Sequence, residues 1–332
     1  MKPVAIVPAA GIGTRLRPQT NTIPKALLNV AGKPILAHIL DTLFAHGVER
    51  AVVVVGYHGD RVREYLADRY REGIDVVEQE ERLGLGHAIH TTAEAVRSGP
   101  ALIVLGDTIV EPEWGDFLGG ETAVIGVQEV DDPRRFGVVQ MEGERVVRLV
   151  EKPADPPSRL AIVGIYYFPE SAELFGALAR LIDSDRRTKG EFQLTDALQA
   201  MLSRGVAMRA SRVSGWFDCG KRETLLETNR HLLARMPQPA PLPGVTLLPP
   251  VYVAPTARIE KAVIGPNVSV ADGVAIRNAV VRNSIINEGA EVAEILLEDS
   301  IVGENAVIRA AFERISVGDS CEVDLSGGNG QG

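Results

Sequence analysis

Cysteine is nearly missing from this chain, with only Cys219 and Cys321 among 332 residues. Two thiols cannot build a disulfide framework, so a reducing, cytoplasmic setting is expected. Long hydrophobic runs are missing too. None approaches the roughly 18 residues needed to span a bilayer, so no membrane partner is expected. The start, Met1-Lys2-Pro3-Val4, mimics a signal peptide only briefly before Pro8, two glycines and Arg15 interrupt it. Positive charge is in deficit, and a net charge of −9 argues against nucleic acid as a partner. Lysine is scarce, at 7 against 28 arginines, so a lysine inside a polar motif is informative. Histidine stops at His231, leaving none in the last hundred residues.

What is present begins with a buried-strand signal, Val4-Ala5-Ile6-Val7, emptying into Gly11-Ile12-Gly13-Thr14-Arg15-Leu16-Arg17-Pro18 and then Ile23-Pro24-Lys25. Glycines let backbone N–H groups approach a polyphosphate, and Arg15 and Lys25 add the charge to hold it. A dinucleotide fingerprint would need glycine where Leu16 stands. A Walker loop would need Gly-Lys-Ser/Thr, but the Gly-Lys pairs here continue as Gly32-Lys33-Pro34 and Gly220-Lys221-Arg222. An ordinary strand-to-helix turn carrying surface charges would share the bare Gly-x-Gly.

A composition 45% apolar over this length supports two domains. Strand signals at Val4–Val7, Ala51–Val55, Ile74–Val77 and Ala101–Leu105 alternate with helical patterns. The best helix carries Ile35, Leu36, Ile39, Leu40, Leu43 and Phe44 on one face, opened by Pro34 and closed by Gly47. Asp60–Tyr70 and His87–Val96 fill the next gaps. This alternation predicts an α/β, Rossmann-like sheet, mixed but mostly parallel, with ligands at the carboxyl ends of its strands. Extended segments at Thr122–Gln128, Gly137–Met141, Arg145–Glu151 and Ala161–Phe168 add mixed strands, and helices follow at Ser171–Leu181, Thr195–Ser203 and near Lys221–Ala234. The catalytic unit is expected over 1–236.

Residues 237–250 hold six prolines and read as a stiff linker. Beyond it aliphatics recur every six residues, as in Ile264, Val270 and Ile276 or Ile286 and Val292, with turn triplets such as Gly265-Pro266-Asn267. That period predicts a left-handed parallel β-helix over 251–320, followed by a flexible tail at 321–332. Breaks in the period near 280 and 296 would also suit an irregular β-sandwich.

Five further clusters carry chemistry. Gln79 to His87, Q-E-E-R-L-G-L-G-H, joins an amide able to match a base edge to a glycine turn; a surface loop capping a helix would look the same. Asp107 ends the fourth strand and Asp218 lies in Trp216-Phe217-Asp218-Cys219-Gly220. Two aspartates with phosphate and water oxygens form a hard site suited to Mg²⁺, although Asp107 alone could be a turn or cap. Glu151-Lys152-Pro153 pairs a carboxylate for sugar hydroxyls with an ammonium for phosphate, or is a solvated ion pair. Gly137 and Gly164 sit in strands where a sugar ring could lie on backbone, or mark bulges.

Together with the G-x-G-T-R-L-x-P loop and its lysine ten residues beyond Arg15, these clusters resemble the sugar-1-phosphate nucleotidylyltransferases from Val4 to about Leu233. Asp132-Pro133-Arg134-Arg135-Phe136-Gly137-Val138, Glu151-Lys152-Pro153 and Lys189-Gly190-Glu191-Phe192-Gln193-Leu194-Thr195-Asp196 look like motifs of long-form glucose-1-phosphate thymidylyltransferases. Pro8-Ala9-Ala10-Gly11 and Leu83-Gly84-Leu85-Gly86-His87 look more like bacterial UTP–glucose-1-phosphate uridylyltransferases. The resemblance implies a dTTP or UTP donor, and glucose-1-phosphate as acceptor. It implies triphosphate contacts at Ala10, Gly11, Gly13, Thr14, Arg15 and Lys25, and base contacts at Gln79 and Gly84. It further implies Mg²⁺ on Asp107 and Asp218, sugar contacts at Gly137, Glu151, Gly164 and Tyr166, and phosphate contacts at Lys152 and Lys189. Arg15, Lys25 and Lys152 would carry catalysis.

Three rival functions are a guanylyltransferase acting on mannose-1-phosphate, a catalytically silent nucleotide-sugar sensor, and an added acyltransferase activity in the β-helix. The last would be expected to need a histidine base in that region, and the region has none. With about four coils of 18 residues, it reads instead as a module for homo-oligomerisation or regulation.

Overall fold

The computed structural model describes residues 2–310. The expected tail and the last part of the predicted coil span, 311–320, lie outside the described residues.

A nine-stranded sheet organises the first part. Its strands in chain order are β1 (Val4–Pro8), β2 (Ala51–Val55), β3 (Ile74–Glu78), β4 (Ala101–Val104), β6 (Ala123–Glu129), β7 (Gly137–Glu142), β8 (Arg145–Glu151), β9 (Leu160–Phe168) and β10 (Met208–Arg212). A separate two-stranded ribbon joins β5 (Thr108–Glu111) to β11 (Gly215–Asp218). The spatial order of the large sheet is β3-β2-β1-β4-β9-β6-β10-β8-β7. From β3 to β4 every pairing is parallel. Every residue of β2 is buried, as expected for a strand covered on both faces. Antiparallel pairing enters at β9.

Six helices of six or more residues cover this sheet: α1 (Ile35–Ala45), α2 (Gly59–Arg69), α3 (Leu85–His90), α4 (Ser171–Asp183), α5 (Leu194–Ser203) and α6 (Arg222–Leu233). The single helix expected over His87–Val96 is divided, ending at His90 and restarting at Ala93–Val96. The hydroxyls of Thr91 and Thr92 donate to the carbonyls of Ala88 and Ile89 at 2.7 Å each, drawing local backbone away from a continuous ladder.

The second part is a three-sided parallel β-helix, consistent with the left-handed kind. It consists of three parallel sheets of four short strands each. Its first strand, Val245–Leu247, pairs with Ala262–Ile264, so coiling starts inside the proline-rich stretch. Register partners lie 17 residues apart at first (Val251 opposite Val268) and 16 apart later (Ile285 opposite Ile301). The changing step is why the six-residue period breaks along the sequence. Left-handed backbone recurs at the corners, at Lys261, Asn278 and Glu294, at Asn267, Asn283 and Asp299, and at Gly273, Gly289 and Asn305. Asparagine and glycine suit that conformation. Inside, Ile264, Val270, Ile276, Val281 and Ile286 are at most 1% exposed.

One amide ties the two parts together. Asn229 on α6 is fully buried; its Oδ1 accepts from the Ala31 N–H at 2.8 Å and the Ser269 hydroxyl at 2.9 Å. Its Nδ2 donates to the Asn267 carbonyl at 3.3 Å. Ile285 of the coil also packs into the core of the first part.

Candidate active site

The parallel strands place their carboxyl ends along one edge, and a cavity of about 480 Å³ opens there. Its wall is the stretch from Pro8 to Thr14, with Lys25, Gln79, Gly84, Leu105, Gly106 and Asp107. Of the expected nucleotide contacts, Ala10, Gly11, Gly13, Thr14, Lys25, Gln79 and Gly84 all line it. Gly11 is exposed, and a side chain there would meet nothing within 4 Å, leaving its backbone open to a ligand. Gly13 has left-handed backbone, φ 69°, and turns the loop back so that Thr20 can donate to its carbonyl at 2.8 Å.

Lys25 is held rigidly. Its side chain is 7% exposed and its Nζ donates to Asp107 Oδ2 at 2.6 Å. Desolvation would raise the Asp107 carboxyl, but the Lys25 ammonium and the Thr108 hydroxyl overcome it and hold the group below the usual carboxylate range. Asp107 is therefore ionised. The β5–β11 ribbon sets Asp218 opposite Thr108, and the Cys219 N–H donates to the Asp107 carbonyl at 3.1 Å. Both aspartates thus stand at one end of the ribbon. A side chain at Gly220 would strike Asp218 Oδ1 at 2.7 Å and Arg15 Nη2 at 3.0 Å, so Arg15 and Asp218 converge above that glycine. Arg15 itself is exposed and does not line the cavity.

Cation chemistry fits this pair. Among the described residues no group of three or more His, Cys, Asp or Glu side chains gathers at metal-ligand spacing. Two carboxylates without nitrogen or sulfur suit a hard ion that keeps water and phosphate oxygens in its remaining positions. Cys219 is no competitor, since burial pushes its thiol up to about 12.

The expected sugar side lies beyond the cavity, on β7, β8 and β9. Glu151, at the end of β8, has an 8% exposed side chain that accepts from the Thr195 hydroxyl at 2.7 Å and pairs with Lys152 at 3.1 Å. A Cβ on Gly137 would meet Thr195 Oγ1 at 2.9 Å and Glu151 Oε2 at 3.1 Å, so the glycine makes room for that pair. Tyr166 is buried beside them; burial and the Glu151 charge both raise its hydroxyl. Lys189 Nζ reaches the Lys152 carbonyl at 3.4 Å. Gly164 has φ 92° where the β6–β9 register shifts, and a side chain there would meet Leu105 Cδ1 at 2.7 Å. Its glycine thus serves a bulge and close packing. Gly84 likewise is crowded, by the backbone of Phe192 at 2.8 Å, so packing requires it.

Sequence reasoning missed Arg82 and Glu191, which also line the cavity. Both lie inside motifs already marked, two residues from Gly84 and from Lys189. Thr195 was missed in the same way, because its partner Glu151 is 44 residues distant.

Comparison with known proteins comes to the same place. The nucleotidyl transferase family profile matches residues 4–235. A glucose-1-phosphate thymidylyltransferase of Streptomyces griseus is 30% identical over 357 residues, covering 97% of this chain and 99% of its own. The UTP–glucose-1-phosphate uridylyltransferase AglF of Haloferax volcanii is 35% identical over 239 residues, 69% of this chain and 96% of its own. Among solved structures, a UDP-glucose pyrophosphorylase from Acinetobacter baumanii superposes with TM-score 0.60 at 26% identity, covering 72% of this chain and 95% of that one. No helix among the described residues is long and apolar enough to cross a membrane.

Proposed function

The chain belongs to the nucleotidyl transferase family, and from that premise we propose that it joins a nucleoside triphosphate, dTTP or UTP, to glucose-1-phosphate. The products are a nucleotide sugar and pyrophosphate. The observation that carries this reading is the single cavity on which the glycine loop, Lys25, Gln79 and Asp107 converge.

An oxygen of the sugar phosphate attacks the α-phosphorus in line with the departing pyrophosphate. Both reactants are anions, so the protein must neutralise repulsion and align them. Backbone from Ala10 to Thr14 cradles the triphosphate, and Arg15 and Lys25 offset charge building on the leaving group. Gln79 and Gly84 hold the base. Glu151, steadied by Thr195, takes sugar hydroxyls, with Gly137, Gly164 and Tyr166 shaping the ring site. Lys152 and Lys189 orient the sugar phosphate. Family enzymes generally use a divalent metal. Asp107 and Asp218 are the residues to hold it, as Mg²⁺, and it would supply charge neutralisation at the α-phosphate. No general base is required, since the attacking phosphate is already ionised.

We assign catalysis to residues 1–236 and self-association to the β-helix, where Leu296 and Val307 stand 62% and 56% exposed. The cytoplasm is the compartment this reading implies. A grid of dTTP, UTP, GTP, CTP and ATP against glucose-, mannose- and galactose-1-phosphate, scored by pyrophosphate release with Mg²⁺, tests it. Turnover with dTTP or UTP and glucose-1-phosphate is expected. Preference for GTP with mannose-1-phosphate would make it a guanylyltransferase, and no release in any well would make it a sensor.

A further inference from the structure

Between Gly13 and Leu28 the chain forms a strap of three short 3₁₀ turns, Thr14–Leu16, Gln19–Asn21 and Lys25–Leu27. Arg15 stands on the first and Lys25 opens the last. Turns of this kind hold few hydrogen bonds of their own, and the middle of the strap is held from outside. The Tyr57 hydroxyl and His58 Nε2 donate to the Asn21 carbonyl at 3.3 and 3.0 Å. Arg61, on α2, donates from Nη1 to the Thr22 carbonyl at 2.8 Å.

The β-helix reaches the same strap. Gln19 Nε2 donates to the carbonyl of Ile301, in a fourth-coil strand, at 3.3 Å. The second nitrogen of Arg61, Nη2, donates to Glu304 Oε2 at 3.1 Å, in the corner after that strand. One planar guanidinium therefore gives one arm to the strap and the other to the coil, so the carboxylate fixes where the first arm points. Thr20, fully buried inside the strap, passes the position on through its 2.8 Å bond to the Gly13 carbonyl. Neither Arg61 nor Glu304 lines the cavity.

We propose that the β-helix holds the triphosphate loop in its binding position, through Glu304 on Arg61 and the Ile301 carbonyl on Gln19. Arg61 and Glu304 are then positioning residues for the triphosphate, and the coil has a part in substrate binding besides self-association. A strap left loose is competent for only a fraction of the time, and the triphosphate affinity falls by that fraction. Chemistry in the bound complex is untouched. The role rests on the reading of Gly11 to Lys25 as the triphosphate cradle, proposed above.

Glu304 makes the sign of the effect decisive. Removing a carboxylate from a chain of net charge −9 should, by charge alone, tighten the binding of a polyanion. Loss of the brace should weaken it. The test is the Kd of dTTP and of UTP with Mg²⁺, by isothermal titration calorimetry without sugar phosphate, alongside kcat and the glucose-1-phosphate KM from pyrophosphate release. Glu304→Ala should raise the triphosphate Kd about threefold to fivefold, the range open to one partly exposed pair. Arg61→Ala, which loses the Thr22 contact as well, should raise it about tenfold. The double variant should be no worse than Arg61→Ala, because both residues act through one guanidinium. Glu304→Gln keeps an acceptor oxygen and should stay within twofold of wild type, as should kcat and the glucose-1-phosphate KM in every variant. An unchanged or tighter Kd in Glu304→Ala would overturn the proposal. So would losses that multiply in the double variant, or a matching rise in the glucose-1-phosphate KM, which would mark a general loosening of the site. A wild type that binds neither dTTP nor UTP would instead overturn the cradle reading, and the brace with it.

Discussion

Left-handed backbone serves two different ends in the two parts of this chain. In the β-helix it repeats from coil to coil, mostly on asparagine and glycine such as Asn267, Asn283 and Gly289, which adopt it at little cost, and also on Lys261 and Glu294. In the catalytic part it is scattered, on Ala31, His58, Arg97 and Asp185 as well as on Lys152 and Lys189, with φ 42° and 55° at the two lysines. Those two lysines meet beside Glu151, which pairs with the Lys152 ammonium while Lys189 Nζ reaches the Lys152 carbonyl. In one region the conformation is a repeated turn that closes a coil. In the other it is local strain at single positions, two of them beside Glu151. The contrast extends to buried charge. The coil buries Val, Ile and Ala with the uncharged Ser269, Ser284 and Asn287, whereas the catalytic part buries Lys25 beside Gln79 at the cavity. A part built by repetition yields surfaces, and a part that breaks its own pattern yields a site.

The sharpest way to break that division is at Asp107. An amide carries no charge to balance Lys25 and is a weaker ligand for a divalent cation, so Asp107→Asn should lower kcat for pyrophosphate release by about 10²–10⁴. The β-helix should unfold as in wild type, because Asp107 touches none of it. Activity within threefold of wild type would remove Asp107 from the cation site. The counterpart on the other side is Ile276→Ala, which empties a position 1% exposed inside the coil. It should cost about 2–4 kcal/mol in chemical denaturation and leave kcat per folded molecule unchanged. A parallel loss of kcat would show that the coil takes part in catalysis.

How much of this division could be read from the sequence depends on the range of the interaction. Ala51–Val55 and Val4–Val7 are legible because a strand covered on both faces is one apolar run. The β-helix is legible because its period repeats, though the shift from 17-residue to 16-residue steps is not. That step depends on how each corner closes rather than on which residues point inward. In the site, the glycine loop and the acidic and basic motifs show themselves locally. The ion pair of Lys25 with Asp107 does not, since 82 residues separate them and only the sheet order brings them together. The same holds for Thr195 on Glu151. The hydrogen bond between Gln79 and His87 spans only eight residues, yet depends on the helix beginning at Leu85 rather than His87.

The smallest effect is expected at the seam, where the two regions stop being separable. Asn229→Ala removes the acceptor of the Ala31 N–H and of the Ser269 hydroxyl, and the donor to the Asn267 carbonyl. A buried backbone N–H left without a partner costs about 1–3 kcal/mol, and the alanine also leaves a small void. Ala31 lies in the turn between Asn29–Val30 and Lys33–Pro34, a few residues after Lys25, while Ser269 lies in the coil. The loss therefore falls on the joint rather than on either core. In differential scanning calorimetry the wild type should unfold in one transition, and the variant in two, with the catalytic part first. kcat should change by less than about threefold, because Lys25 keeps its partner Asp107. A single transition shifted downward as a whole would mean that the cores, through Ile285, hold the parts together without Asn229. Asn229→Asp adds a finer distinction, since it keeps both acceptor contacts but sets a buried carboxylate oxygen against the Asn267 carbonyl. If its transitions separate as far as those of the alanine variant, the bond to the Asn267 carbonyl, the longest of the three, carries the coupling.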